Sequence, residues 1–307
     1  MKAVVFAYHN MGLAGLEALM EAGFDIAAVF SHEDAPGENC WFGSVAAWAT
    51  AKGIPVFCPE DVNTPGWIGR IAALAPDVIF SFYYRQMIAQ DILDIPKGGA
   101  YNLHGSLLPA YRGRAPVNWV LVHGEPQTGV TLHHMVKKAD AGDIVGQRAV
   151  DIAFEDTALT LYGKLCAASR LLLAELLPLI AAGRAPRVPQ DLAAGSIFGR
   201  RRPEDGRIDW QWPALRIYNL VRAVTDPYPG AFTLLPEGER LFIWRVHPED
   251  DAGERRPPGT VTVEGDRVFV TAGEGRIRLL EIGLASTRMK DDQLVRYFSN
   301  KEGITMI

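Results

Sequence analysis

Cysteine is scarce in this chain. Cys40, Cys58 and Cys166 are odd in number, scattered and without zinc-ligand spacing, which argues against a disulfide framework or a cysteine-built metal site and predicts reduced thiols in a cytoplasmic protein. Long hydrophobic runs are missing as well. The longest, over 171–182, contains Glu175 and Pro178 and falls short of the roughly 20 apolar residues of a bilayer span, so no membrane insertion is expected. The apolar start, Met1-Lys2-Ala3-Val4-Val5-Phe6-Ala7, is broken by Tyr8-His9-Asn10 too early for a signal peptide. There is no basic excess: 31 Lys and Arg face 36 Asp and Glu, a formal charge of −5, so nucleic acid is a disfavoured partner. Repeats and low-complexity tracts are absent.

Two local signals are also incomplete. The turn Asn10-Met11-Gly12 follows the first apolar run but lacks the glycine fingerprint of a dinucleotide site. His133-His134 sits in an extended run, where neighbours point to opposite faces and cannot form a paired metal site, and no metal is expected elsewhere.

What is present is an alternation of short apolar runs and helical stretches. Strands are predicted over 3–7, 24–31, 54–57 and 77–83, and helices over 13–22, 44–52 and 66–75, with Gly23 and Gly53 closing two of them. Strands separated by helices of this length imply an α/β fold with a Rossmann-like, doubly wound parallel sheet. Such sheets bind ligands beyond the carboxyl ends of their strands. That rule places His9-Asn10, His32 and Tyr84-Arg85 at one edge, where a lone histidine reads first as a solvated residue or a local hydrogen-bond partner. Extended runs over 129–135 and 144–150 and a helix over 157–182 follow. Composition shifts at Gly183 to a Pro-, Arg- and Gly-rich stretch. Beyond it, a helix over 212–224 and five short strands within 232–282 suggest a smaller C-terminal barrel of oligonucleotide-fold type; the last twenty residues read as polar and strand-poor. The expected organisation is a catalytic domain over 1–183, a linker over 184–205 and the barrel over 206–307.

The chemistry concentrates in Asn102-Leu103-His104-Gly105-Ser106-Leu107-Leu108-Pro109, continued by Tyr111-Arg112-Gly113-Arg114-Ala115-Pro116 and answered by Asp140. Asn102 and His104 are two residues apart, so in extended backbone both side chains share a face. An amide and an imidazole on one face can reach one carbonyl oxygen. Transfer of an acyl group to an amine builds negative charge on that oxygen, where a preorganised donor is worth on the order of 3 kcal/mol. His104 can also move protons between the attacking and leaving nitrogens. A carboxylate at Asp140 would favour and orient its imidazolium form. The same residues could instead form a local cap with Asp140 closing a turn.

These motifs resemble the signature of the formyltransferases that use 10-formyltetrahydrofolate. Gly129-Val130-Thr131 and Asp140-Ala141-Gly142-Asp143-Ile144 are similar to that family's second block, and Arg202-Pro203-Glu204-Asp205-Gly206-Arg207-Ile208-Asp209-Trp210 with Pro229-Gly230-Ala231-Phe232 to its carboxyl-terminal domain. The resemblance implies 10-formyltetrahydrofolate as co-substrate, Asn102, His104 and Asp140 as the catalytic set, and folate contacts from Gln86, Met87, Ile88, Arg114, Val136, Lys137, Lys138, Ala139 and Asp140. Asn10, Gly12, Arg112 and Arg201 are the candidates for binding the acceptor; arginine forks suit the phosphates of a nucleotide sugar. Val4-Val5-Phe6-Ala7-Tyr8-His9, Phe80-Ser81-Phe82-Tyr83-Tyr84-Arg85 and Phe198-Gly199-Arg200-Arg201 look most like the branch that formylates UDP-4-amino-4-deoxy-L-arabinose for lipid A modification, which underlies polymyxin resistance. The tRNA-directed branch is expected to carry a longer, basic loop after the second strand. Here it reads His32-Glu33-Asp34-Ala35-Pro36-Gly37-Glu38-Asn39, acidic enough to repel a phosphate backbone. Expected partners are therefore a UDP-amino sugar and a folate, and for assembly a homo-oligomer or a dehydrogenase-type partner domain.

Overall fold

Short Val- and Phe-rich runs form strands covered on both faces, as parallel sheets require. The computed structural model describes residues 1–307 except 35, 36, 38, 251–255 and 286, and the chain divides into two units. The first comprises Met1–Pro116, Gln127–Ile152 and Tyr162–Gly199; the second comprises Val117–Pro126, Ala153–Leu161 and Arg200–Ile307.

Chain order begins β1 (Lys2–Ala7), α1 (His9–Glu21), β2 (Asp25–Phe30), α2 (Val45–Ala51), β3 (Val56–Phe57), α3 (Pro65–Ala73), β4 (Val78–Phe82), α4 (Gln90–Leu93) and β5 (Ala100–His104). A two-residue β6 (Arg112–Gly113), α5 (Pro116–Val122), β7 (Gln127–His134), β8 (Ile144–Asp151), α6 (Ala158–Ala181) and the short β9 (Ile197–Phe198) follow. The sheet has the order β3-β2-β1-β4-β5-β7-β8. Its first five strands are parallel, and β7 and β8 extend it antiparallel beyond β5. Strand order reverses at β1, between β2 and β4, which is the switch point where such sheets open a crevice.

The predicted turn at Asn10-Met11-Gly12 is instead the first turn of α1, which starts at His9 with φ 68°. The helix begins earlier because Tyr162 braces it: its hydroxyl accepts from Met11 N at 2.9 Å and bonds His9 Nδ1 at 2.6 Å. On one face of the sheet Val4, Phe6, Phe30 and Ile79 pack against Ile71, Ile88 and Ile92, with Met135 alongside. Each such side chain, fully buried, contributes about 1.5–3 kcal/mol. Ala100 belongs to this cluster, so Asn102 and His104, at two-residue steps beyond it, lie on the same face.

The stretch expected as linker carries structure of its own. Val188 pairs with Ile144, β9 pairs with β6, and a 3-10 turn occupies Pro203–Gly206. The second unit contains α7 (Ala214–Val224), β10 (Ala231–Leu234), β11 (Arg240–Glu249), β12 (Val261–Glu264), β13 (Arg267–Thr271), β14 (Arg276–Leu284), β15 (Thr287–Lys290) and α8 (Asp292–Ser299). Its antiparallel sheet runs β10-β11-β14-β13-β12, with β15 on β14. The chain end closes it. Leu234 and Ile307 exchange both backbone hydrogen bonds, Met306 N donates to Gly259 O, and Val261 N donates to Ile304 O, so the tail lies between edge strands β10 and β12. The polar, strand-poor tail carries structure of its own. Its polar residues hide a helix that buries only Leu294 and Phe298, four apart, and backbone pairing needs no apolar pattern. No helix among the described residues is long and apolar enough to cross a membrane.

Candidate active site

Strand β5 carries Asn102 and His104 on one face, and antiparallel pairing with β7 sets Asn102 opposite His133 and His104 opposite Thr131. The loop after β7 folds back over this pair and delivers Asp140. Gly142 makes that return feasible, since a Cβ there would overlap the His134 carbonyl. Asp140 Oδ1 lies 3.7 Å from His104 Nδ1, 3.5 Å from His133 Nε2 and 3.5 Å from Asn102 Nδ2. Its Oδ2 accepts from Gly113 N at 2.8 Å. Gly113 has φ 94° and no room for a Cβ beside the Phe198 carbonyl, so only glycine presents its N–H this way. Burial pushes the Asp140 carboxyl up, but the His104 and His133 rings and the Gly113 N–H outweigh it and hold it well below the usual carboxylate range. The site keeps a charged carboxylate beside two imidazoles.

Hydrogen-bond chemistry assigns the ring protons. His104 Nε2 is 2.8 Å from Tyr111 O; a carbonyl only accepts, so Nε2 carries hydrogen and Nδ1, facing Asp140, is the nitrogen left to exchange a proton. His133 Nδ1 is 2.8 Å from His134 O, so Nδ1 carries hydrogen; in the neutral ring Nε2 accepts from Asn102 Nδ2 at 3.1 Å, and in the protonated ring it faces Asp140 Oδ1 at 3.5 Å. The second Asn102 amide hydrogen has only the longer contact to Asp140, which an incoming carbonyl oxygen can replace.

His133 is the site residue that the sequence reading passed over. The two adjacent histidines do face opposite ways, with His134 Nε2 turned to Pro186 O at 3.1 Å. Exclusion of a paired metal site nevertheless left His133 without a role, although it stands directly across from Asn102. The available signal was the antiparallel register of β5 and β7.

The expected folate contacts occupy two loops and, at Arg114, the segment after β6. Gln86 donates to Glu60 O at 2.6 Å, Met87 O accepts from Asn63 Nδ2 at 3.0 Å, and Ile88 is buried in the core while Met87 is exposed. Val136, Lys137 and Lys138 are exposed and Ala139 is half-buried on the loop that ends in Asp140. Exposed Arg114 donates to Arg85 O at 3.0 Å, tying the segment after β6 to the loop after β4. Met135 and Ile88 pack in one cluster, so both loops cover the face that bears Asn102 and His104.

The expected acceptor contacts are dispersed. Asn10 Oδ1 accepts from Gly43 N at 2.8 Å. Gly12 is buried against Val45, a close helix approach. Arg112 is only 6% exposed, donating Nη2 to Leu192 O at 3.2 Å while Nε and Nη1 have no partner. Arg201 belongs to the second unit, its guanidinium over the Trp119 ring at 4.6 Å and Nη2 on Asp205 O at 2.8 Å. His32, Tyr84 and Arg85 do meet at one strand edge: Arg85 N donates to His32 Nε2 at 3.0 Å, and the His32 ring stacks on Tyr84. In the acidic loop Asp34 accepts from Tyr8 Oη at 2.6 Å; Ala35, Pro36 and Glu38 lie outside the described residues.

An imidazole, an amide and an ionised carboxylate around one open hydrogen-bond position suit acyl transfer to an amine. Comparison with known proteins bears on that chemistry. Residues 1–177 match the family described as formyl transferase, and residues 201–297 match formyl transferase, C-terminal domain. Among solved structures, the chain is similar to an N-formyltransferase from Helicobacter canadensis in complex with folinic acid and dTDP-3-aminofucose (20% identity, 91% of this chain and 98% of that one, TM-score 0.70). It is similar to WlaRD, a sugar 3N-formyltransferase in the presence of dTDP and 5-N-formyl-THF (19%, 91% and 96%, TM-score 0.68). It also resembles a variant of HypX from Aquifex aeolicus (18%, TM-score 0.64), covering 98% of this chain but 48% of that one. Since the first match alone covers more than half of the sequence, this chain belongs to the formyl transferase family.

Proposed function

We propose that this protein transfers the formyl group of 10-formyltetrahydrofolate to the 4-amine of UDP-4-amino-4-deoxy-L-arabinose, a step in lipid A modification. The observation that carries the reading is the convergence of Asn102, His104 and Asp140, with Asp140 held ionised. The unprotonated amine attacks the formyl carbon and a C–N bond forms. Charge builds on the formyl oxygen, which takes hydrogen bonds from Asn102 Nδ2 and a protonated His104 Nδ1. The C–N10 bond then breaks, the attacking nitrogen gives up a proton and N10 receives one, leaving a formamide and tetrahydrofolate. His104 Nδ1 is the relay because Tyr111 O occupies Nε2. Asp140 orients the ring and neutralises its charge, and His133 keeps the Asn102 amide turned toward the site. In this reading the folate lies along the loops at 86–88 and 136–140 with Arg114. The folinic acid and dTDP-3-aminofucose of one formyltransferase neighbour, and the 5-N-formyl-THF and dTDP of the other, support the donor and acceptor class.

A second reading, formylation of another nucleotide-linked amino sugar, is favoured by the dTDP-3-aminofucose bound to the Helicobacter canadensis neighbour. Tetrahydrofolate release measured with UDP-4-amino-4-deoxy-L-arabinose, dTDP-3-aminofucose and charged initiator tRNA separates the options. The expected result is release with the UDP sugar, abolished in His104→Ala. Turnover only with dTDP-3-aminofucose establishes the second reading, and turnover only with tRNA rejects both.

A further inference from the structure

We infer that residues 190–198, which follow α6 in the chain, are a positioning strap for the active groups, with Gln190 and Ser196 as its working side chains. The inference rests on the reading that Asn102, His104 and Asp140 act in formyl transfer. Two arms of one continuous segment meet two different members of that set.

The first arm is Gln190. Its Nε2 donates to Asp140 O at 3.1 Å and to Gly142 O at 2.6 Å. Both partners are carbonyls, which only accept, so the amine end of the carboxamide must face them. One side chain thereby clamps both ends of the turn that presents Asp140, a residue at φ 50°, where L side chains sit at a cost.

The second arm is Ser196. Its Oγ accepts from Tyr111 N at 2.8 Å, its N donates to Pro109 O at 3.2 Å, and its carbonyl accepts from Arg112 N at 3.0 Å. Phe198 continues the arm: its carbonyl accepts from Arg114 N at 2.9 Å and its ring stacks on Tyr111 with centroids 5.1 Å apart. Leu192 O holds the Arg112 guanidinium. The loop so gripped has positive φ at Tyr111, Gly113 and Ala115, a path that isolated backbone does not favour. Tyr111 supplies the carbonyl that accepts His104 Nε2–H. The strap thus sets the orientation of the imidazole on one side and the placement of the carboxylate on the other. Small displacements of reacting groups cost rate steeply, so this segment acts on turnover through the groups it positions.

The test compares the full chain with Gln190→Leu, Ser196→Ala and Ser196→Thr, using formyl transfer kinetics, thermal unfolding and the imidazole 15N resonances of His104. The expected result is a fall in kcat of about tenfold for Gln190→Leu and Ser196→Ala. KM for donor and acceptor should stay within about twofold, with Ser196→Thr restoring kcat and Ser196→Ala moving the His104 resonances. Parent-like kcat and parent-like resonances in the first two variants overturn the strap, as does a lowered Tm with parent-like kcat below it. If the parent itself transfers no formyl group, the functional reading fails instead. The resonances then decide alone: shifted supports the strap, unshifted overturns it.

Discussion

Strands β1 and β5 lie two places apart in the same sheet, and each delivers a buried histidine at its carboxyl end in a different setting. At β5, His104 shares the Asp140 carboxylate with an asparagine and a second imidazole, and the carboxyl is held ionised. At β1, His9 is stacked on Phe42 with centroids 3.8 Å apart, meets the Trp41 ring edge-on at 4.5 Å and bonds the Tyr162 hydroxyl. Burial there pushes Tyr162 far above the usual phenol range and Cys166 up to about 11, so both stay neutral. Residue type and place at a strand end are therefore insufficient to mark a catalytic histidine. The difference lies in what the neighbouring loops turn toward each histidine: the β7–β8 loop brings a carboxylate to His104, whereas the segment after β2 packs Trp41 and Phe42 on His9 and gives its Asp34 carboxylate to Tyr8 instead. The His104 ring faces a charge and the His9 ring faces other rings.

The largest test of this contrast removes the donors at the polar end. Asn102→Ala and His104→Ala should each lower kcat for formyl transfer by on the order of 10²–10³, read as tetrahydrofolate release; losses below tenfold would break the contrast. Next is Asp140→Asn, which keeps shape, and asparagine tolerates the left-handed backbone. It should cost about 100-fold in kcat by removing the charge that faces His104. Its effect on stability has a defined sign. The folded carboxyl is depressed below its unfolded value, so the ionised form stabilises the fold above the ordinary carboxylate pKa near 4 and that contribution is lost as pH falls below it. Denaturant midpoints should show the variant weaker than the parent at pH 7, with the gap narrowing below about pH 4.

A smaller effect is expected from His133→Phe, which imports the aromatic character of the β1 end. Without its acceptor the Asn102 amide is free to rotate, and kcat should fall about tenfold while Tm changes little; an unchanged kcat would remove His133 from the positioning set. The smallest catalytic effect belongs to Tyr162→Phe. It loses bonds to His9 Nδ1 and Met11 N, each worth about 1 kcal/mol. The loss should appear as a lower denaturant midpoint with kcat within about threefold, and a collapse of kcat at preserved stability would erase the distinction between the two strand ends.

Legibility followed the range of the interactions. The parallel strands were readable because burial on both faces writes apolar runs into local sequence, and Val78–Phe82 is buried throughout. The sharing of a face by Asn102 and His104 was readable because a strand repeats every two residues. The start of α1 was misplaced because its brace, Tyr162, lies far along the chain. Residues 184–205 read as linker because Pro, Arg and Gly signal irregular backbone, and irregular backbone is what Gln190 and Ser196 use to reach two loops. The tail read as polar and strand-poor because its value lies in backbone groups pairing with Leu234, Gly259 and Val261, to which side-chain pattern is blind.

Local sequence was thus enough for the α/β alternation, the run of short strands in the C-terminal region, and the amide and imidazole that point the same way from β5. These depend on backbone periodicity and burial over a few residues. Tertiary structure alone decided that His133 stands beside Asn102, that Asp140 arrives charged between two imidazoles, that Tyr111 assigns the His104 proton, and that a distant segment braces them. Each of those is a contact across long sequence separation, set by strand register and loop return rather than by any local preference.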